Sequence, residues 1–374
     1  MKKYLVIAFS ILFLCINLIQ MPQKTMAISA QSYCVIDKLT GRILYEKSSG
    51  LKHGMASTTK IMTAIVALEN AAPDSIATVS YNASRTEGSS LYLKPGEKMS
   101  VIDLVYGLML NSGNDAAVVL AEHIGGSVEN FALMMNELAQ KIGANLTHFT
   151  NPNGLYDDMH YTTAYDFALI TRYALNNEVF GQIASTKKHT IQTIGNERKI
   201  YLSNHNKLLN TLDGCDGVKT GYTKKTGRCL VSSVSRDGWQ AICVTINASD
   251  DWNDHKTLIN KAFSEYRPKK IISKGQYIKT ISVSDGVSDS VGAIATQDVF
   301  VAVKENENFD YEIVYKLCDE LNAPVEKNQY IGCIDIMYKG NVFASVNVAA
   351  NDSVERTKKA NFIDNLLFVL KSFM

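Results

Sequence analysis

The sequence predicts an α+β fold, with an antiparallel sheet covered by helices and a small β-rich domain on its C-terminal side. Two strand-like runs near the N-terminus precede a block of helical periodicity, and two longer strand-like runs follow that block. Strands on both sides of a helical block are expected to join in one sheet on which the helices pack. After residue 270 only short alternating runs recur, which indicates a separate β-rich unit.

The N-terminal residues predict an export signal. Lys2 and Lys3 form a positively charged start, residues 4–19 are apolar and uncharged, and Thr25-Met26-Ala27 offers a small-residue cleavage site. We interpret residues 1–27 as a signal peptide. An uncleaved anchor is the alternative, although the apolar stretch is shorter than the roughly 20 residues of a membrane span.

The charge of the chain argues against nucleic-acid binding. Cleavage after residue 27 removes three lysines and no acid, which turns the formal net charge of +1 into −2. A chain with nearly equal numbers of acidic and basic residues lacks the excess positive charge that binding to a phosphate backbone requires.

The first domain is predicted at residues 28–266. Residues 32–46 form a hairpin pattern with a polar, glycine-ended turn, and a later hairpin is expected from residues 227–235 and 239–247, joined by Arg236-Asp237-Gly238. Helices are expected at residues 57–70, 101–110, 115–124, 127–142, 163–175 and 253–266. The helix at residues 57–70 is apolar on nearly every side, so it is expected in the middle of the domain.

The C-terminal third is divided into two further units. Residues 267–270 are interpreted as the domain boundary, and residues 271–352 as the small β-rich domain. Residues 356–374 predict an amphipathic helix that lies on a membrane surface. A helix docked on the protein's own surface is the alternative. The apolar residues at helical spacing are Phe362, Ile363, Leu366, Leu367, Val369, Leu370 and Phe373.

Cysteine and histidine spacing predicts no metal site and no other cofactor. The six cysteines beyond residue 27 lack C-x-x-C spacing and are interpreted as mostly buried thiols, while a Cys229–Cys243 bridge stays open. The seven histidines include no His-Glu-x-x-His pair, so all are interpreted as structural or surface residues.

Ser57-Thr58-Thr59-Lys60 is the first candidate for catalysis. Helix positions i and i+3 face the same way, so Ser57 and Lys60 are expected to meet. A serine hydroxyl needs a base to become a nucleophile, and a desolvated lysine can be that base. Alone, the pattern is weak, because solvated helices contain it by chance.

Two further motifs have structural alternatives when taken singly. Ser112-Gly113-Asn114 lies between two apolar helices, where the hydroxyl can relay protons and the amide can hold a substrate, or either side chain can cap the next helix. Lys219-Thr220-Gly221 is expected on an edge strand, where lysine and threonine can hold a carboxylate and glycine admits a ligand backbone. A polar strand end is the alternative.

Together, the three motifs resemble the D-alanyl-D-alanine carboxypeptidase family. The likeness extends over residues 55–64, 112–117 and 216–223, and a further stretch runs from Asn151-Pro152-Asn153-Gly154-Leu155 through His160 to Asp166. Ser-Gly-Asn stands here where the related penicillin-binding and β-lactamase motif has Ser-Asp-Asn. The resemblance implies a penicillin-binding/β-lactamase-like fold and an exported enzyme at the extracytoplasmic face of the cell membrane or in the cell wall.

The resemblance also implies roles for individual residues. Ser57 becomes the acylated nucleophile, Lys60 its proton acceptor and Ser112 the proton relay, while Asn114 holds the substrate backbone. Lys219 and Thr220 meet the terminal carboxylate of the substrate, and Gly221 is a further substrate-binding position. The backbone N–H groups of Ser57 and Tyr222 form the oxyanion hole. The implied partners are peptidoglycan stem peptides, with β-lactams as covalent inhibitors.

One departure and several alternatives stay open. Some family members place an arginine beyond the last long strand to bind the carboxylate, but residues 250–255 contain none. A β-lactamase needs a means of rapid deacylation, often a glutamate, and no glutamate between Ser112 and Lys219 has a recognisable context. A penicillin sensor and an endopeptidase that cuts cross-links are the remaining readings.

Overall fold

A computed structural model describes residues 27–195, 197–338 and 340–357. The predicted signal peptide, apart from Ala27, lies outside the described residues. The predicted amphipathic helix also lies outside them, apart from residues 356 and 357. Neither prediction is tested by the structure.

One five-stranded antiparallel sheet organises the first domain, and both ends of that domain build it. Its order is β2-β1-β9-β8-β7, so β7 is an edge strand, as predicted for the strand that carries Lys219. The strands are β1 (Ser32–Asp37), β2 (Ile43–Lys47), β7 (Cys215–Thr223), β8 (Gly227–Arg236) and β9 (Trp239–Ala248).

Helices cover both faces of this sheet. Successive residues of β9 alternate between the faces: Ile242 and Val244 pack in the large helical core, and Ala241 and Cys243 pack under α9. The helices are α1 (Lys60–Asn70), α2 (Tyr81–Ser84), α3 (Val101–Leu110), α4 (Asn114–Gly125), α5 (Val128–Lys141), α6 (Ala164–Ala174), α7 (Glu178–Ser185), α8 (Leu208–Thr211) and α9 (Asp251–Glu265). The predicted helices are therefore present, and side-chain caps at Ser100, Ser127 and Thr163 begin three of them.

The start of the central helix differs from the sequence expectation. Residues Ala56–Thr59 form a 3-10 turn, and the α-helix α1 begins at Lys60. Every residue from Lys60 to Ala67 is buried, which places α1 in the middle of the domain as predicted. Ser57 therefore lies in a tight turn at the helix N-terminus.

Two small two-stranded sheets accompany the helical block. Strand β3 (Ile76–Thr78) pairs with β4 (Lys98–Ser100), and β5 (Lys188–Gln192) pairs with β6 (Lys199–Ser203), both antiparallel. The sequence analysis identified neither pair, because three- to five-residue runs carry too little periodicity.

The C-terminal domain consists of β-strands with their own apolar core. Strands β10 and β13 pair with each other, and the remaining strands form a six-stranded sheet of order β14-β16-β17-β12-β11-β15. The strands are β10 (Tyr266–Ile272), β11 (Tyr277–Ser284), β12 (Ser290–Ala295), β13 (Val299–Lys304), β14 (Glu312–Leu317), β15 (Glu320–Asn322), β16 (Tyr330–Tyr338) and β17 (Asn341–Ala350).

The predicted domain boundary at residues 267–270 falls within a strand. These residues belong to β10, which follows α9 directly and pairs along its length with β13. The far end of the domain also extends beyond residue 352, because Thr357 donates hydrogen bonds to the backbone oxygens of Asp285 and Gly286.

Arg42 joins the two domains. Its Nη1 donates to the backbone oxygen of Ala302 at 2.8 Å, and its Nη2 pairs with the carboxylate of Glu307. The guanidinium also lies 5.6–5.9 Å from the ring centroids of Tyr266, Phe309 and Tyr338. A largely buried arginine with these partners ties the first hairpin to the second domain.

The cysteines of the described residues are free thiols. The bridge left open between Cys229 and Cys243 is absent from the described structure, since Cys243 lies opposite Ser232 in the β8–β9 register. None of the described helices combines the length and the hydropathy needed to cross a membrane.

Candidate active site

The turn before α1 brings the first two candidate residues together. Lys60 Nζ lies 3.0 Å from Ser57 Oγ, so the contact expected from the i, i+3 spacing is present. Ala56, immediately before Ser57, has a φ of 48°, in the left-handed region that an alanine rarely adopts. The turn thus presents Ser57 at the N-terminus of a buried helix.

Lys60 is placed to act as a base. Its side chain is 0 % exposed, and its Nζ donates to Asn114 Oδ1 at 2.7 Å and to the backbone oxygen of Asn153 at 2.6 Å. Burial, with a smaller contribution from the Lys219 charge, holds the pKa of Lys60 well below its usual value, although Asp115 opposes the shift. A neutral amine has two hydrogens and one lone pair. Because the two carbonyl oxygens take the hydrogens, the lone pair is left for the Ser57 hydroxyl.

Ser112 occupies the turn between α3 and α4. Its φ is 60°, its side chain is 4 % exposed, and its Oγ makes no hydrogen bond to any described residue. A buried hydroxyl without a partner is unusual, because an unmade hydrogen bond costs about 1–3 kcal/mol. The geometry leaves this hydroxyl free for a reacting molecule.

Asn114 contacts the base. Its Oδ1 accepts from Lys60 and its Nδ2 donates to the backbone oxygen of Glu87, so both amide atoms have protein partners. The helix-capping alternative is wrong, since the N-cap of α4 is Gly113 and makes no side-chain hydrogen bond. Each amide atom can still make a second hydrogen bond, so the predicted role of Asn114 in holding substrate is compatible with both contacts.

The third motif lies on the edge strand β7, beside the nucleophile turn. Lys219 is 2 % exposed, its Nζ donates to the backbone oxygen of Thr220 at 3.0 Å, and burial lowers its pKa to about 7. At Gly221, a Cβ would lie 2.9 Å from the backbone nitrogen of Thr58 and 3.0 Å from that of Ser57. Only glycine therefore allows β7 to approach the turn this closely.

These elements enclose a pocket of about 340 Å³. Five of the predicted site residues line it: Ser57, Ser112, Thr220, Gly221 and Tyr222. Lys60, Lys219 and Asn114 lie behind that lining. The other lining residues were not predicted from the sequence to belong to the site. They are Ser89, His205, Arg228, Asp251 and Trp252.

Arg228 bears on the open question of the carboxylate. It lies directly opposite Tyr222 in the β7–β8 register, with its guanidinium 6.0 Å from the Tyr222 ring centroid. The sequence contained a signal for Arg228. A strand that brings Lys219-Thr220-Gly221 to a site also brings the strand paired with it. His205 was expected to be a structural or surface residue, but it lines the pocket. Burial and the nearby Lys219 charge lower its pKa.

Residues 250–255, where some family members have the carboxylate-binding arginine, make other contacts. Asp254 accepts hydrogen bonds from the backbone of Ser29 and Ala30, and His255 lies buried between Ser232 and Thr245. Asp251 does line the pocket, and burial raises its pKa while Arg228 opposes the shift. Within residues 27–195, 197–338 and 340–357, no three His, Cys, Asp or Glu side chains cluster as a metal site would require.

Comparison with known proteins decides the family. A family model described as D-alanyl-D-alanine carboxypeptidase matches residues 19–250. The chain belongs to the D-alanyl-D-alanine carboxypeptidase family. It is a serine peptidase, as the motifs predict. Residues 266–356 match a second model, described as the C-terminal domain of penicillin-binding protein 5.

Relatives resemble the chain over both domains. D-alanyl-D-alanine carboxypeptidase DacF of Bacillus subtilis is 33% identical over 90% of this chain and 88% of its own length. Penicillin binding protein 5 of Haemophilus influenzae superposes with a TM-score of 0.67 at 31% identity, covering 88% of this chain and 98% of the other. The predicted penicillin-binding fold with a small β-rich C-terminal domain is therefore confirmed.

Proposed function

We propose that this carboxypeptidase-family enzyme removes the terminal D-alanine from peptidoglycan stem peptides through an acyl-enzyme on Ser57. The observation that carries the proposal is the placement of Lys60, fully buried with its Nζ 3.0 Å from Ser57 Oγ. Burial lowers the pKa of Lys60 and so favours the neutral amine, which is the form a general base needs.

The acylation step follows from this geometry. Ser57 Oγ attacks the carbonyl carbon of the penultimate D-alanine while Lys60 Nζ takes the hydroxyl proton. The carbonyl electron pair moves to oxygen, where the backbone N–H groups of Ser57 and Tyr222 stabilise the charge. When the C–N bond breaks, the leaving amine receives the proton from Lys60 through Ser112, and free D-alanine departs.

Deacylation repeats the proton transfers with water. A water molecule attacks the ester carbonyl and gives its proton to Lys60. The C–O bond to Ser57 then breaks, and Ser57 Oγ recovers that proton. The products are the shortened peptide acid and free enzyme, so no cofactor enters the balance.

Carboxypeptidase action is favoured by the positive charge around the pocket. Lys219 lies behind the pocket lining, and Arg228 is part of it. A terminal carboxylate satisfies such charges, whereas an internal peptide bond offers no anion there. Arg228 is accordingly our candidate for the residue that completes carboxylate binding, together with Lys219 and Thr220.

We place this reaction outside the cytoplasm, at the membrane face or in the cell wall, where peptidoglycan is the substrate. The positively charged start, apolar stretch and small-residue cleavage site of residues 1–27 support export. The apolar spacing of residues 362–373 supports attachment of the C-terminal segment to a membrane surface.

The pocket chemistry disfavours the β-lactamase alternative. Among the described residues that line the pocket, none is a glutamate poised to activate a deacylating water. A penicilloyl group keeps its leaving amine tethered, so it is expected to persist on Ser57, whereas D-alanine diffuses away. Penicillin should therefore behave as a covalent inhibitor rather than a substrate.

Intact-protein mass spectrometry tests the proposal. Wild-type protein should gain one penicillin mass that persists and should convert a stem pentapeptide to a tetrapeptide over many turnovers. Ser57→Ala should lose both, with turnover reduced by about a millionfold. Ser185→Ala, at an exposed serine at the end of α7, is the matched control and should resemble wild type.

Three outcomes would redirect the assignment. Rapid return of unmodified protein with bulk penicillin hydrolysis would identify a β-lactamase. Cleavage of a cross-linked peptide dimer faster than the pentapeptide would identify an endopeptidase. Persistent penicillin labelling of a folded Ser57→Ala protein would remove Ser57 as the nucleophile.

A further inference from the structure

A loop from Thr150 to His160, here the 150–160 loop, wraps the nucleophile turn and the first turn of α1. Its backbone oxygens at Pro152 and Asn153 accept hydrogen bonds from Thr63 Oγ1 and Lys60 Nζ, both at 2.6 Å. At its end, His160 Nε2 lies 2.8 Å from Thr59 Oγ1. The loop therefore contacts the turn at Thr59 and α1 at Lys60 and Thr63.

The hydrogen bonds at Thr59 have only one consistent direction. Thr59 Oγ1 donates its single hydrogen to the backbone oxygen of Ala56 at 2.8 Å, since a carbonyl only accepts. Thr59 must then accept from His160 Nε2, which carries a hydrogen. The other ring nitrogen, Nδ1, accepts from the backbone N–H of Thr150 at 3.0 Å. His160 is thus a neutral imidazole in one tautomer, and burial lowers its pKa to about 4.

This chain of bonds ends on the peptide group that precedes the nucleophile. The Ala56 carbonyl and the Ser57 N–H belong to one trans peptide, so they point in opposite directions. A Cβ at Gly154 would lie 1.9 Å from the Ala56 oxygen, and a Cβ at Gly221 would lie 3.0 Å from the Ser57 nitrogen. The oxygen side of the peptide therefore faces the 150–160 loop, and the nitrogen side faces β7 and the pocket.

The Ala56–Ser57 peptide has to be held in one orientation for its N–H to face the pocket. Ala56 has a φ of 48°, and a non-glycine residue in that region costs of order 1–3 kcal/mol unless its surroundings impose it. Rotation of the Ala56–Ser57 peptide, about ψ of Ala56 and φ of Ser57, would turn the Ser57 N–H away from the pocket. The hydrogen bond to the Ala56 oxygen opposes this rotation.

We propose that His160 and Thr59 are positioning residues that orient the Ser57 N–H toward the carbonyl oxygen of the substrate. Neither touches substrate. His160 orients the Thr59 hydroxyl, and Thr59 fixes the Ala56 oxygen, so that an oxyanion donor is in place before the substrate binds. This inference rests on the proposed function, because it takes Ser57 as the nucleophile and its N–H as an oxyanion donor.

Variants at Thr59 test the first link. Thr59→Val removes the hydroxyl and should lower the penicillin acylation rate constant about 10- to 100-fold, less than the 10²–10³ cost of deleting an oxyanion donor. The dissociation constant that precedes acylation should change less than about threefold, because the donor acts mainly in the transition state. Thr59→Ser keeps the hydroxyl and should restore most of the rate.

Thr63→Val is the matched control. It removes another buried threonine hydroxyl that bonds the same loop from the same helix, one turn further on. Loss of melting temperature should be similar in Thr59→Val and Thr63→Val, whereas only Thr59→Val should slow acylation. Equal slowing in both variants would mean that loop attachment, rather than peptide orientation, is responsible, and would overturn the proposal.

Variants at His160 test the second link even if Thr59→Val folds poorly. The amide nitrogen of His160→Gln can replace Nε2–H, while the amide oxygen of His160→Asn can replace only the Nδ1 acceptor. We expect acylation by His160→Gln to exceed that by His160→Asn at least fivefold. Binding of a boronic acid that forms a tetrahedral Ser57 adduct should weaken in parallel with the rate. The reverse order of the two variants would refute the proposal.

The proposed function and the positioning role of His160 and Thr59 can be refuted separately. If Ser57→Ala still forms the penicillin adduct, the proposed function fails. If Ser57→Ala is inert but Thr59→Val and His160→Asn acylate at the wild-type rate with wild-type boronate affinity, only the positioning role fails.

Discussion

Two buried lysines distinguish this site at the scale of single residues. Lys60 is 0 % exposed and Lys219 is 2 % exposed, and neither forms an ion pair with a described acid. An unpaired lysine in such surroundings loses solvation when charged, so its pKa falls. The same burial that makes Lys60 a base therefore makes Lys219 titrate near neutrality.

The lysine pKa values predict a bell-shaped pH dependence of kcat/KM for the pentapeptide. Activity should rise with pH as Lys60 loses its proton, because only the neutral amine accepts the Ser57 proton. It should fall above the Lys219 pKa of about 7, because neutral Lys219 attracts the substrate carboxylate less. Lys219→Arg stays charged and should remove the descending limb. A descending limb unchanged in that variant would contradict this assignment.

Ser112 carries a second prediction at the residue scale. Ser112→Ala should lower the acylation rate about 10²- to 10⁴-fold, the usual contribution of positioned proton transfer. Its melting temperature should stay the same or rise, because the buried hydroxyl has no partner among the described residues.

Ser112→Gly provides the comparison. It also relieves the φ of 60° and should melt about 2–4 °C above Ser112→Ala. Calorimetry and stopped-flow acylation separate the two effects. A large stability loss in Ser112→Ala would mean that the hydroxyl is structural.

At the scale of elements, the site is the junction of an edge strand with a helix N-terminus. Strand β7 lies at the edge of the sheet, so its unpaired side faces the Ala56–Thr59 turn. Edge strands expose unpaired backbone groups, and here those groups border the pocket. The sheet and the Ala56–Thr59 turn thus supply one oxyanion donor each, as we propose.

Gly221→Ala tests this junction. The new Cβ would meet the backbone nitrogens of Ser57 and Thr58, which cannot yield as a flexible side chain can. We expect β7 to separate from the turn and acylation to fall more than about 10²-fold, the cost of losing an oxyanion donor. The matched control is Gly181→Ala in α7, where a Cβ meets open space and should stabilise the helix by about 1 kcal/mol. Wild-type acylation by Gly221→Ala would show that this approach is not required.

At the scale of the whole molecule, the second domain is fixed to the first through Arg42 and the neighbouring hairpin. Tyr45 donates a hydrogen bond to Glu265, whose carboxylate also pairs with Lys304 at 3.0 Å. Because these contacts lie at β2, α9 and β13, the second domain does not line the catalytic pocket. Its strands lead instead to the C-terminal segment.

Deletion of residues 358–374 tests the proposed membrane contact. The cut should begin at residue 358, because Arg356 and Thr357 pair with the second domain at Gly286 and Asp285. The truncated protein should leave the membrane fraction yet keep pentapeptide turnover within about twofold, since we propose that the removed apolar residues bind the membrane surface and the cut removes no proposed catalytic residue. Leu366→Asp with Leu367→Asp is the full-length control and should also detach. A wild-type protein that is already in the soluble fraction after signal cleavage would contradict the anchor.

The sequence by itself determined the fold class, the main helices and strands, and half of the residues that line the pocket. Periodicity located α3 and the β8–β9 hairpin almost to the residue, because local patterns and turn residues fix such elements. The first motif predicted the contact between Ser57 and Lys60, our proposed nucleophile and base, because i, i+3 spacing follows from local helical geometry.

Only the tertiary structure decided which other side chains reach the site. Arg228 and His205 lie in segments with no catalytic pattern, and the β7–β8 register and the chain path before α8 bring them to the pocket. The bond from His160 to Thr59 joins residues 101 positions apart. Such contacts depend on long-range packing, which produces no periodic pattern in the sequence. The burial of Lys60 and its lowered pKa depend on the same packing.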